Sequence, residues 1–88
     1  MRITSDMVDL MKTFSIMARC QDTITGLREI YRFGLDEWSQ LCDDEKLTTE
    51  QASAVLDFII DVIRKEEARI ENNNRERYSY SPFNRAKP

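Results

Sequence analysis

The chain has 88 residues, with 13 Lys/Arg, 16 Asp/Glu, no His and two Cys. That bounds it to one small domain and removes the side chain that titrates nearest neutral pH. The formal charge of −3 is unevenly spread: residues 1–74 hold nine Lys/Arg against fifteen Asp/Glu, or −6, whereas residues 75–88 hold Arg75, Arg77, Arg85 and Lys87 against Glu76, or +3. An acidic body argues against non-specific nucleic-acid binding, because phosphate affinity comes largely from clustered cations.

A basic protein surface suits such a body better, a neighbouring copy's tail included. No apolar run approaches the length that crosses a bilayer, and the N-terminus, with Asp6 and Asp9 inside it, lacks signal-peptide form. Two thiols without a leader fit a reducing compartment, where Cys20 and Cys42 would serve as small core residues. A soluble, cytoplasmic protein is therefore expected.

In chain order, Thr4, Ser5 and Asp6 offer N-caps for a first helix. Met7, Leu10, Met11, Phe14, Met17 and Ala18 form one apolar stripe along it. Three methionines give that stripe a soft, adaptable surface. Asp22 is the expected cap of a second helix. The apolar phase continues through Ile24, Leu27, Tyr31, Leu35, Trp38 and Cys42, so one long helix competes with two. β-Branched Thr23 and Thr25 weaken continuity, and a break near residue 21 is favoured. Gly34 is expected to lower local helix stability by about 0.5–1 kcal/mol relative to Ala and to admit a kink.

Asp43, Asp44, Glu45 and Lys46 make a polar turn. A third helix follows, with Thr48 as N-cap, Gln51 three residues on to complete a capping box, and Leu47 placed to close onto Ala52. Ala52, Val55, Leu56, Ile59, Ile63 and Ile70 recur at helical spacing. With about 100° per residue, the apolar arc widens through Ile60 on one side and through Val62 to Phe58 on the other, roughly 200° in all. Asn72, Asn73 and Asn74 offer a stop, since Asn tolerates left-handed geometry. The expected fold is all-α: a three-helix assembly or bent helical hairpin (about 5–20, 22–42, 48–72). Residues 1–74 form the helical domain, and residues 75–88 an extended basic and aromatic C-terminal arm.

Three large apolar residues fall off the core stripes: Ile16, Phe33 and Phe58, one on each helix. Covering a Phe or Ile is worth about 1.5–3 kcal/mol, so these residues, with Ile60 and Val62, are the candidate interface. Tyr78, Tyr80 and Phe83 would anchor the arm, as Tyr and Arg are favoured at contact hot spots. Asp36, Glu37, Asp43, Asp44 and Glu45 make an acidic patch that suits a basic surface, or a solvated helix end.

Catalysis has little support. Asp57 and Asp61, like Glu67 and Glu71, stand one turn apart, but the Glu-x-x-His pairs of bundle di-metal sites are absent. No phosphate loop, nucleophile motif or Cys-His zinc spacing is present. Neither metal nor cofactor is expected.

The expected function is a small non-enzymatic helical protein that self-associates, dimer first, and binds a larger protein as accessory regulator or inhibitor. Viral and mobile-element products offer the analogy. One alternative is a helical oligomer sequestering an anionic small molecule such as a nucleotide through Arg28, Arg32, Arg75 and Arg77. Another is a helix-turn-helix DNA reader presenting Thr48, Thr49, Gln51 and Ser53, which the acids around the turn oppose.

Overall fold

The computed structural model describes residues 1–79, with side chains described to Asn74. Three α-helices make up this part: α1 (Ser5–Arg19), α2 (Ile24–Asp43) and α3 (Thr49–Ser79). The described residues contain no strand, in agreement with the all-α expectation.

Each helix starts where a side-chain oxygen meets an unpaired backbone amide. Thr4 caps α1, its Oγ1 accepting from the Met7 amide at 3.3 Å. Asp6 in the first turn and Arg19 in the last complement the helix dipole. The chain leaves α1 at Cys20, whose amide donates to Ile16 O at 3.2 Å. Two helices form, therefore, and not one. Thr23 caps α2 in place of Asp22: it is extended (φ −128°, ψ 153°), and its Oγ1 accepts from the Gly26 amide at 3.0 Å. The reciprocal box at α3 forms as its spacing requires. Thr48 Oγ1 accepts from the Gln51 amide at 3.1 Å, and Gln51 Oε1 accepts from the Thr48 amide at 2.8 Å.

Backbone hydrogen bonds close the α2–α3 turn. Glu45 takes φ 57°, the left-handed region, so that its amide reaches Cys42 O at 3.1 Å and the Lys46 amide reaches Leu41 O at 3.0 Å. This is the Schellman pattern, with Glu in the position glycine usually fills. At the other end α3 does not stop at Asn72–Asn74 but runs on to Ser79. No residue there turns left-handed among those described, and Asn inside a helix costs only part of a kcal/mol. The first five residues of the expected arm thus belong to α3.

Two buried clusters order the helices. Met7, Leu10, Phe14, Val55 and Ile59 form one; Ala18, Leu27 and Ile70 form the other. Ile30, Val62 and Ile63 pack against both. Early α1 meets early α3 and late α1 meets later α3, so these two run parallel, with α2 antiparallel to both. Among the helix residues α2 buries only Leu27 and Gly34. It is nonetheless fixed to α3 by Trp38, whose Nε1 donates to Ala52 O at 2.8 Å.

α2 is continuous through Gly34, from Ile24 to Asp43. At Gly34 the Phe14 ring of α1 lies against the α2 backbone. A Cβ there would lie 2.6 Å from both Cδ1 and Cε1 of Phe14, so the missing side chain leaves the space that the ring occupies. The cysteine expectation also needs correction. Cys20 is exposed and Cys42 half-buried, both free, because Cys20 falls past the last turn of α1 where no helix covers it.

Candidate functional site

Only the middle of the wide α3 stripe is covered. Val55, Ile59 and Ile70 are buried, whereas Leu56, Phe58, Ile60, Val62 and Ile63 are half-buried. One consequence is a cleft of about 400 Å³ along the α2/α3 seam, lined by Ile24, Leu27 and Tyr31 from α2 and by Ile60 and Ile63 from α3. Arg28, Arg64 and Glu67 complete its lining. Apolar walls with two guanidinium groups and one carboxylate fit an amphipathic segment, whose apolar side would enter while its polar flank met the charges.

A second recess, of about 220 Å³, opens on the α1/α2 seam. Leu10, Phe33 and Leu41 give it apolar walls, and Asp6, Asp9, Thr13 and Glu37 surround them. Phe33 therefore sits beside α1, not on a free outer face as its phase suggested.

The candidate interface residues do not form one patch. Ile16 stands 49% exposed on α1. Phe33 lines the α1/α2 recess, and Ile60 lines the α2/α3 cleft. Phe58 is half-buried on α3, and Val62 packs against both core clusters. The side chain of Tyr78, and Tyr80 and Phe83 entirely, lie outside the described residues. Exposed Ile3 and Val8 were missed, because Val8 lies off the α1 stripe and Ile3 precedes the helix.

In the acidic patch every member is exposed. Asp36 and Glu37 lie mid-helix in α2, away from a helix start, and Asp43, Asp44 and Glu45 gather at its C-terminal end, where the dipole does not favour carboxylates. Glu37 alone joins the recess. Of the candidate anion-binding arginines, Arg28 lines the cleft, Arg32 is exposed outside its lining, and the side chains of Arg75 and Arg77 lie outside the described residues. Arg64 belongs to the cleft and was not foreseen in that role, since only the fold brings it opposite Arg28.

Arg69 is the other side chain that the pattern did not reveal. Its Nη2 donates to Gln21 O at 2.8 Å and to Arg19 O at 3.3 Å, while Nε donates to Glu66. It thus satisfies carbonyls at the exit of α1 from a helix about 50 residues away in sequence. Asp61 pairs with Lys65 at 3.5 Å. Among the described residues no group of His, Cys, Asp or Glu is arranged to hold a metal ion, and no helix is long and apolar enough to cross a membrane.

Fold and surface together define an all-α three-helix protein with an apolar, charge-rimmed cleft. Comparison with family models, with curated proteins and with solved structures yields no match.

Proposed function

We propose that this is a non-enzymatic helical protein that self-associates and acts by binding another macromolecule, as an accessory regulator or inhibitor. The observation that supports this most is the α2/α3 cleft, where Ile24, Tyr31, Ile60 and Ile63 remain partly open to water between Arg28, Arg64 and Glu67. Amphipathic helices dock in grooves of this chemistry, and a chain of this size gains from the extra apolar cover.

The test is solution mass by sedimentation over a range of concentrations, for the parent and for Ile60→Glu. The parent should associate, dimer first, and capture one stoichiometric protein from lysate of its source cell. Ile60→Glu should lose both while keeping its helical circular dichroism. A parent that stays monomeric at every concentration removes the self-association part of this reading.

The two arginines of the cleft favour a second reading, sequestration of a small anionic ligand. Nucleotides would then raise the thermal midpoint of the parent, as selective binding to the native form must, and Arg28→Gln with Arg64→Gln would abolish that shift.

A further inference from the structure

The α1/α2 recess has a chemistry distinct from the cleft. Its walls are Leu10, Phe33 and Leu41, and its rim is acidic, with Asp6, Asp9 and Glu37. None of these three carboxylates makes an ion pair among the described residues. An occupant must therefore bring an apolar or aromatic group flanked by cations. Residues 80–88 of the same chain read Tyr-Ser-Pro-Phe-Asn-Arg-Ala-Lys-Pro, which supplies Tyr80 and Phe83 for the walls and Arg85 and Lys87 for the rim.

α3 carries the chain away from the recess of its own copy. Leu10 shares a cluster with Val55 and Ile59, whereas α3 continues to Ser79. Twenty residues of helix from Ile59 to Ser79 span about 30 Å, and the recess, lined by α1 and α2 alone, lies to one side of that axis. From Ser79 a fully extended chain reaches about 14 Å to Phe83 and about 20 Å to Arg85. Were a second copy to lie antiparallel, its α3 terminus would come to the start of α1, whose first turns line the recess. A two-fold axis makes the exchange reciprocal.

We propose that the segment containing Phe83, Arg85 and Lys87 docks in the acidic α1/α2 recess of a second copy, so that two chains exchange arms. The proposal rests on the self-association reading and names a contact for it. Phe83 packs beside Phe33 and Leu41, and Arg85 and Lys87 meet Asp6, Asp9 and Glu37. Because the charges are at the surface, salt weakens the pairing.

The test uses full-length chains in sedimentation and light scattering. One variant reverses the recess (Asp6→Lys, Asp9→Lys, Glu37→Lys) and the other reverses the arm (Arg85→Glu, Lys87→Glu), which leaves the helical core untouched. Each alone should associate at least tenfold more weakly than the parent. Mixed in equal amounts they should form a heterodimer, since both contacts then regain opposite charges. An arm bound to its own body would not respond to mixing. Variants that associate like the parent, or a mixture that stays monomeric, overturn the proposal. If they do so while Ile60→Glu abolishes pairing, self-association stands and only the arm exchange falls. A monomeric parent defeats both.

Discussion

Replacing Gly34 by Ala opposes two effects of known size. In a solvated helix the change stabilises by about 1 kcal/mol, because glycine loses more backbone freedom on folding. Here the new Cβ would sit 2.6 Å from two carbons of Phe14, against about 3.5–4.0 Å for carbon atoms in favourable contact. The ring must retreat by about 1 Å to restore such a contact, yet Phe14 is 0% exposed and enclosed by Met7, Leu10, Val55 and Ile59. Overpacking of that kind costs about 1–3 kcal/mol, so the net effect should be destabilising by roughly 1 kcal/mol, and the thermal midpoint should fall by about 4–8 °C. In a Phe14→Leu background, which removes the ring, Gly34→Ala should change sign and recover the propensity gain. Urea and thermal unfolding of the four chains at one fixed protein concentration close the cycle. A Gly34→Ala chain more stable than the parent by about 1 kcal/mol, as for an exposed helical glycine, would refute the close approach of α1 and α2.

Glu45→Gly should stabilise by up to about 1 kcal/mol in urea melts, because a residue with a Cβ holds the left-handed turn after α2 under strain; no gain would mean that the Glu45 side chain offsets it. Arg69→Met keeps the aliphatic stem but removes the donors to Gln21 O and Arg19 O. It should cost about 1–3 kcal/mol, with faster amide exchange through Cys20–Gln21, and unchanged exchange there would refute the capping role.

Local chemistry was the most legible part of the sequence. The box of Thr48 and Gln51 uses atoms three residues apart, so spacing alone announces it. The break after α1 was legible for the same reason, although Thr23, not Asp22, takes the cap. Periodicity also showed that α3 is too apolar for one contact. It could not show which flank stays open, because that depends on how α1 and α2 lie across it. Ile60 ended in a cleft and Val62 between two core clusters although both flank the same stripe. The packing role of Gly34 has no local signal, because it depends on a ring twenty positions away. Asn72–Asn74 were misread because a residue that tolerates a stop does not enforce one. The pairing of Arg69 with Glu66 is local, but its grip on Arg19 O and Gln21 O has no local signal, since only the folded chain brings those carbonyls near.

The pairing of α1 with α3 has a bearing on how the molecule opens. Gln51 Nε2 donates to Arg2 O at 2.8 Å at one end, and Arg69 grips the opposite exit at Gln21 O. The first helix is thus clasped fore and aft by a single strut, through bonds linking residues 49 and 48 positions apart. Neither extremity is free to peel away ahead of the other, so release of that helix should be one event, and it should await failure of the strut itself.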